Sequence, residues 1–480
     1  MGTELGARGV ALPDREWSAH ALDAAPEIVS AIHRAHAAIG VDLLRTNTFR
    51  TTRRASGDRW RERLAKAVRL AREAAQGQRI AGVIAPLEDC YRPDLSPPPE
   101  QARQEHAELA VALKEERVDL ILCETFPHPI EARIAVEAAV ATGLETWVAL
   151  TAGPGGELMT PSAMADAARS CVAGGAKAVM VNCVAAALIG PYLEALSTLG
   201  VPFGAYANQS AWGKLECGPA EYFARAQSWV QSGATMLGAC CGTTLAHLRA
   251  AGDALGRHRL WLAEPVKDAP LDVLSPTERA AHGRFRFERD RDLYATAHLL
   301  LRRALTAATG TPERDWDFEE DANGRPRLVP GLSGPSFNLT HTHGLAAVVT
   351  GPTAELGVDA ELVGQRGDLL PVAEHWFNSE EVAGLRMLPD AERQRRFLSF
   401  WTVKEAYLKA RGVGLRLPLH QLTVRLDREP EPGEQVTPQL AIGAELGDDP
   451  RAWTLRLLAH GDKHLVAIAA KTKRFELKAG

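Results

Sequence analysis

The chain has 480 residues, of which 46% are hydrophobic and 24% charged, with a formal net charge of -5. That length exceeds what one ordinary core fills, so two or three domains are expected, and the weak negative charge gives no general pull toward nucleic acid. No apolar run approaches the roughly 18 residues of a membrane span, and Met1-Gly-Thr-Glu-Leu5 opens no signal peptide, so a cytoplasmic protein without a membrane partner is expected.

The first half alternates short apolar runs with helical stretches. Strands are expected at Val41–Thr46, Ile80–Ala85, Val118–Cys123, Thr146–Thr151, Ala178–Asn182, Phe203–Tyr206 and Ala234–Gly238. Helices are expected at Arg59–Ala75, Pro99–Glu116, Pro129–Thr142 and Pro219–Gly233. Repeated strand–helix units of this kind predict a parallel α/β fold, most simply a (β/α)8 barrel over residues 1–255. In such barrels chemistry sits where strands end, and polar residues cluster there: Thr46-Asn47-Thr48, Glu124-Thr125, Cys183 and Cys240-Cys241-Gly242.

All seven cysteines fall between Cys90 and Cys241. An odd number confined to one half argues against a disulfide framework and for local thiol or metal chemistry. Cys183 alone reads as a small core residue, but the adjacent pair Cys240-Cys241 is less usual. Three thiolates at the barrel mouth would hold Zn2+ with one position open for a substrate thiol.

These stretches resemble the homocysteine S-methyltransferase family, through Met1-Gly-Thr-Glu-Leu5, Asp42-Leu-Leu-Arg-Thr-Asn-Thr-Phe49, Glu124-Thr-Phe126, Val181-Asn-Cys183, Tyr206-Ala-Asn208 and Gly238-Ala-Cys-Cys-Gly-Thr243. The resemblance implies zinc on Cys183, Cys240 and Cys241, homocysteine and a methyl donor as partners, and substrate contacts from Glu124 and Asn47. The chain begins inside the family's opening motif, which leaves a barrel lacking its first strand or a start assigned too late. A catalytically silent scaffold or carrier-binding module is the alternative for this half.

Ala250 to Arg259 reads as a short connection, and a second domain is expected over residues 256–480. Ser275, Pro276 and Glu278 make a helix start with a capping box. Arginines at 284, 286, 289, 291, 302 and 303 mark a helical segment, a solvated face by default and a phosphate site on the sharper reading. Phe337–His341 and Gly344–Thr350 read as strands. In Gly357-Val-Asp-Ala-Glu361, period two puts Asp359 and Glu361 on one face, where a cation such as Mg2+ would relieve their repulsion.

Trp401 to Gly412 reads as a helix with Glu405 and Lys409 on one face. Alone, that pair is a surface ion pair; with two carboxylates upstream, Glu405 becomes a natural third ligand. Arg393, Arg395, Arg396, Lys404, Lys409, Arg411 and Arg416 would form a patch for a polyanion. Asn378 and Glu381 read as a helix cap, with Glu381 structural.

Gly324-Arg-Pro326, Phe337-Asn-Leu-Thr-His341, Gly357-Val-Asp-Ala-Glu361 and Trp401-Thr-Val-Lys-Glu-Ala-Tyr-Leu-Lys409, in this order, resemble the 4′-phosphopantetheinyl transferases. The resemblance implies a pseudo-twofold α+β domain and transfer from coenzyme A to a serine of an acyl or peptidyl carrier protein. Mg2+ would lie on Asp359, Glu361 and Glu405. Arg325, Thr340, His341, Lys404 and Lys409 would hold the cofactor's phosphates, with Glu405, Lys409 and Asp359 catalytic.

Overall fold

The computed structural model describes residues 1–479 apart from Leu215, Ala322, Gln365, Arg366, Leu415 and Arg416. The chain divides into two compact units, Met1–Leu255 and Gly256–Gly480.

In the first unit seven parallel strands pair in chain order: β1 (Leu43–Arg45), β2 (Arg79–Ile84), β3 (Leu120–Phe126), β4 (Glu145–Leu150), β5 (Ala178–Ala185), β6 (Phe203–Asn208) and β7 (Met236–Ala239). Parallel neighbours need a crossover, and helices such as Trp60–Ala74, Pro99–Glu115, Pro129–Ala141, Pro161–Ala173 and Pro219–Gln231 provide it. Proline opens the last four, where its missing N–H costs nothing and its fixed φ suits the first turn. β3 and β5 are buried along their whole length, which explains the apolar runs Leu120–Cys123 and Ala178–Val181 that open them.

The expected barrel is realised as a curled seven-stranded sheet with β1 and β7 at its edges. Arg45 of β1 donates from Nη2 to the Ala239 carbonyl of β7 at 3.2 Å, so these edges approach one another at the strand ends. Two strands break their ladders at that end. The register shifts between Cys123 and Phe126 and between Asn182 and Ala185, where Thr125 (φ 65°) and Cys183 (φ 54°) adopt left-handed backbone. Such bulges re-aim side chains, and left-handed non-glycine residues concentrate at functional sites.

The second unit contains β8 (Arg257–Ala263), β9 (Phe318–Glu320), β10 (Pro326–Leu328), β11 (Ser336–Thr342), β12 (Leu345–Gly351), β13 (Leu356–Leu362), β14 (Leu422–Arg425), β15 (Gln435–Val436), β16 (Gln439–Ile442), β17 (Thr454–His460), β18 (His464–Ala470) and β19 (Glu476–Ala479). Two four-stranded sheets dominate it, β11-β12-β8-β19 and β13-β18-β17-β15. Each packs against a helix of 22 residues, Glu288–Thr309 on the first and Asp390–Arg411 on the second. Both helices end on a left-handed glycine, Gly310 (φ 77°) and Gly412 (φ 67°). This duplicated sheet-plus-helix is the expected pseudo-twofold α+β architecture.

The two halves meet at β11 and β13, where Asn338 Oδ1 accepts the Val358 N–H at 2.9 Å. Gly357 lets the helix Asp390–Arg411 lie directly on β13: a Cβ there would stand 2.1 Å from the Ala406 carbonyl oxygen. Among the described residues, no helix is long and apolar enough to cross a membrane.

Candidate active sites

In the first unit, Cys183 lies within β5 and Cys240 and Cys241 follow β7. Their sulfurs lie within 4.8 Å of one another, and Cys183 Sγ is 3.1 Å from Cys240 Sγ. The left-handed backbone at Cys183 belongs to this arrangement, and its sulfur also neighbours Thr125 Oγ1 (3.8 Å) and Asn182 Nδ2 (3.6 Å). Asn208 Oδ1 accepts the Cys241 N–H at 3.0 Å, and the Cys240 carbonyl accepts from Thr243 Oγ1, so the Cys-Cys turn is fixed from both sides. Hydrogen bonds from Cys183 and Cys240 favour the Cys241 thiolate and pull its pKa well down. The same contacts hold the Cys183 proton on. A cluster that carries thiolate character and three convergent sulfurs has the donor set of a zinc site.

Glu124, at the end of β3, is paired with Arg45 Nη1. The Arg45 guanidinium lies over the Tyr206 ring, 4.7 Å from its centroid, and the carboxylate of Glu124 pushes the already high pKa of Arg45 higher against the effect of burial. Asn47, expected to touch substrate, is buried and donates from Nδ2 to the Ser18 carbonyl at 2.9 Å. Its Oδ1 has no partner among the described residues. The sequence motifs single out neither Arg45 nor the Tyr206 ring beneath it, although a lone arginine closing an apolar strand is a visible signal.

In the second unit the side chains gather where β11 and β13 meet the helix Asp390–Arg411. Lys409 Nζ donates to Asp359 Oδ1 at 2.6 Å and to Thr340 Oγ1 at 2.9 Å. Asp359 is buried, and its Oδ2 has no partner among the described residues. Glu361 follows on the same face of β13, half-buried. Burial first, then the Asp359 and Glu361 charges, push the Glu405 carboxyl up to about 7 against the pull of Lys409. Asp359 and Glu405 share the one lysine, and the Asp359 Oδ2 is left without a partner among the described residues, the electrostatic condition that a divalent cation relieves. Among the described residues, the cysteine triad alone presents three metal-ligating atoms mutually within 4.8 Å, so the carboxylates are close without being drawn onto one point. His341 is exposed at the end of β11; partial desolvation and the neighbouring His298 and Lys409 hold its pKa below the ordinary imidazole value.

Two expected cofactor contacts are corrected. Lys404 is fully buried, donating to Glu381 Oε2 at 2.6 Å and to the Leu419 carbonyl at 3.2 Å, with its ammonium 4.1 Å from the centroid of the Phe377 ring. It supports the core, as does Glu381, which also caps the helix Ser379–Arg386. Arg325 gives its fork to main chain, reaching the carbonyls of Lys409, Ala410, Phe337 and Leu356 at 2.9–3.5 Å. It clamps the helix C-terminus to β11 and β13.

The expected cationic patch is also largely internal. Arg393 and Arg395 donate to main-chain carbonyls, Arg396 pairs with Glu429, and Arg411 pairs with Asp448. Arg416 lies outside the described residues. In the arginine-rich segment, Arg302 is buried against Glu278.

A family model described as homocysteine S-methyltransferase matches residues 1–255, and one described as the 4′-phosphopantetheinyl transferase superfamily matches residues 355–469. The chain is 32% identical over 199 residues to 4′-phosphopantetheinyl transferase HetI of Nostoc sp., covering 41% of this chain and 78% of HetI. The chain belongs to both families. Homocysteine S-methyltransferase 4 of Zea mays is 27% identical over 303 residues, covering 53% of this chain and 87% of that protein. The metallated homocysteine methyltransferase MmuM of Escherichia coli is 26% identical with a TM-score of 0.45, covering 52% of this chain and 92% of MmuM. The second unit is that of a 4′-phosphopantetheinyl transferase, an enzyme, and the first is homocysteine S-methyltransferase-like.

Proposed function

We propose that the second unit moves the 4′-phosphopantetheine arm of coenzyme A to a serine of an acyl or peptidyl carrier protein. Mg2+ held by Asp359, Glu361 and Glu405 would neutralise the coenzyme's pyrophosphate. The observation that carries this is the buried Asp359, whose Oδ2 has no partner among the described residues while Oδ1 is held by Lys409. Lys409, Thr340 and His341 line the phosphate side. The carrier serine oxygen bonds to the β-phosphorus, its proton passes to Glu405, and the bond to the bridging oxygen breaks to release 3′,5′-ADP. The test is mass spectrometry of apo carrier proteins incubated with the full chain, coenzyme A and Mg2+. A phosphopantetheine gain that Glu405→Ala abolishes is expected, and no gain across a panel of carriers would sink the reading.

For the first unit, the convergent sulfurs favour a zinc-dependent thiol methyltransferase acting on homocysteine over a silent scaffold. Zinc on Cys183, Cys240 and Cys241 would lower the pKa of the acceptor thiol. Equimolar zinc, lost in Cys241→Ala, together with homocysteine binding, would support this reading. A zinc-free barrel that binds no thiol would restore the scaffold alternative.

A further inference from the structure

Asn182 and Tyr206 each keep an open polar atom beside the first unit's sulfurs. They are register partners on β5 and β6, 0% and 5% exposed. Tyr206 packs in one cluster with Leu122, Ala149 and Met180, and Cys240 lies against that cluster. Period two along β5 puts Asn182 on the face of Met180, so both side chains look into the same interior, and Asn182 directly precedes Cys183. Asn182 Nδ2 donates to Thr125 Oγ1 at 2.6 Å, but its Oδ1 has no partner among the described residues, and nor has the Tyr206 hydroxyl. Buried polar atoms are normally satisfied, so an open acceptor and an open donor on adjacent strands point to a ligand. The charged groups nearby make no such demand, because Arg45 and Glu124 neutralise each other. What the two open atoms complement is a neutral secondary amide, its N–H going to Asn182 Oδ1 and its carbonyl accepting from the Tyr206 hydroxyl.

We propose that the first unit accepts a second thiol, the amide-linked thiol that ends a phosphopantetheine arm, and methylates it. That thiol stands on a short ethylene spacer from a secondary amide and has no charge beside it. Its sulfur joins the cysteine cluster while the amide lies between Asn182 and Tyr206. Homocysteine carries no amide and leaves both atoms open. Both readings above are needed for this, since the second unit installs the arm and the first is the thiol methyltransferase. The thiol gives its proton to water, and the thiolate sulfur forms a bond to the methyl carbon of a sulfonium donor. The donor's own bond to that carbon breaks with its electron pair staying on sulfur, so the donor leaves as a neutral thioether. The product is an arm capped as a thioether, which can no longer form a thioester.

The test has a binding arm and a transfer arm, both on the zinc-loaded full chain. N-acetylcysteamine carries the thiol and the amide of the arm, and propanethiol carries the thiol alone. In calorimetry the native chain should bind N-acetylcysteamine about tenfold more tightly, the range for a pair of neutral hydrogen bonds. Tyr206→Phe keeps the ring and removes only the open hydroxyl, so it should erase that preference by weakening N-acetylcysteamine, at unchanged zinc content. Equal native affinities, or equal weakening of both thiols by Tyr206→Phe, would overturn the inference. In the transfer arm, coenzyme A and a carrier already bearing the arm are offered separately with S-adenosylmethionine or S-methylmethionine. Mass spectrometry should show the gain of one methyl group in place of the thiol hydrogen, and whichever is modified identifies the source of the thiol. Methylated homocysteine beside unmodified arms would overturn the inference and leave the methyltransferase reading standing. No methyl on any thiol would overturn it too, and a native chain that binds neither thiol nor homocysteine would remove both. The native comparisons need no variant to fold.

Discussion

Lys404 and Lys409 lie five residues apart on one helix and do opposite things. Lys404 forms a fully buried ion pair with Glu381, and removing one partner of such a pair strands the other. Lys404→Met should therefore cost roughly 3–5 kcal/mol of stability in urea unfolding, with carrier modification retained by the folded fraction. Lys409→Met should nearly abolish modification with a far smaller loss of stability, because its ammonium sits part-exposed at the site. The reverse pattern would show that the two lysines have been assigned the wrong way round. The sequence already held this distinction. Consecutive helical residues diverge by about 100°, so Lys404 cannot share the face of Glu405. Composition alone grouped them as one cationic patch, and only the packing shows which cations are spent internally.

His258 makes a second prediction at this scale. It is buried, its Nδ1 bonded to the Gly256 carbonyl at 2.9 Å and its ring stacked on Phe475 with centroids 4.4 Å apart. Burial lowers its pKa to about 4. The unfolded chain binds this proton already near pH 6.5, so the contribution to stability is full above that pH and is lost as pH falls toward 4. The loss should reach roughly 3 kcal/mol across that window, read from denaturant midpoints, and His258→Leu should flatten the slope.

At the scale of elements, the carboxylate site depends on how closely the helix Asp390–Arg411 approaches β13. Gly357→Ala would drive a methyl group into the helix backbone, 2.1 Å from the Ala406 oxygen and 2.4 Å from the Ala410 nitrogen. Backbone cannot yield as a flexible side chain would, so the helix should shift outward and part Lys409 from Asp359. Carrier modification should fall at least about tenfold, since a displacement on the order of 1 Å is costly at such sites. Unchanged kinetics in a folded Gly357→Ala protein would refute this account. The seven strands of the first unit, with β11, β12 and β13 of the second, lie where hydrophobic periodicity puts them, because strand–helix alternation is a local signal; the short strands β9, β10 and β14–β16 carry no run long enough to announce them. The helix expected from Trp401 begins at Asp390, since a run dense in arginine carries no apolar stripe to announce it. The clamp by Arg325 was equally hidden: its partners are main-chain carbonyls from three elements, and no residue pattern records those.

Across the whole molecule, each unit has its own core and its own centre. The large cluster around Leu64, Ile121 and Val181 belongs to the first unit, and those around Phe397 and Val358 belong to the second. All seven cysteines lie in the first unit, while Asp359, Glu361, Glu405 and Lys409 lie in the second. The metals proposed for them are also chemically distinct, since sulfur ligands favour zinc and carboxylates favour magnesium. The two activities should therefore be separable in one intact chain. Cys241→Ala should remove zinc and thiol binding while leaving the rate of carrier modification within about twofold of native, because additivity holds for sites without shared partners. Glu405→Ala should abolish modification with zinc content and homocysteine affinity unchanged. Zinc analysis, calorimetry and carrier mass spectrometry on the same three preparations decide it. If either substitution moved the other unit's readout by an order of magnitude, the two centres would be coupled, and the chain would be one machine rather than two enzymes on a single thread.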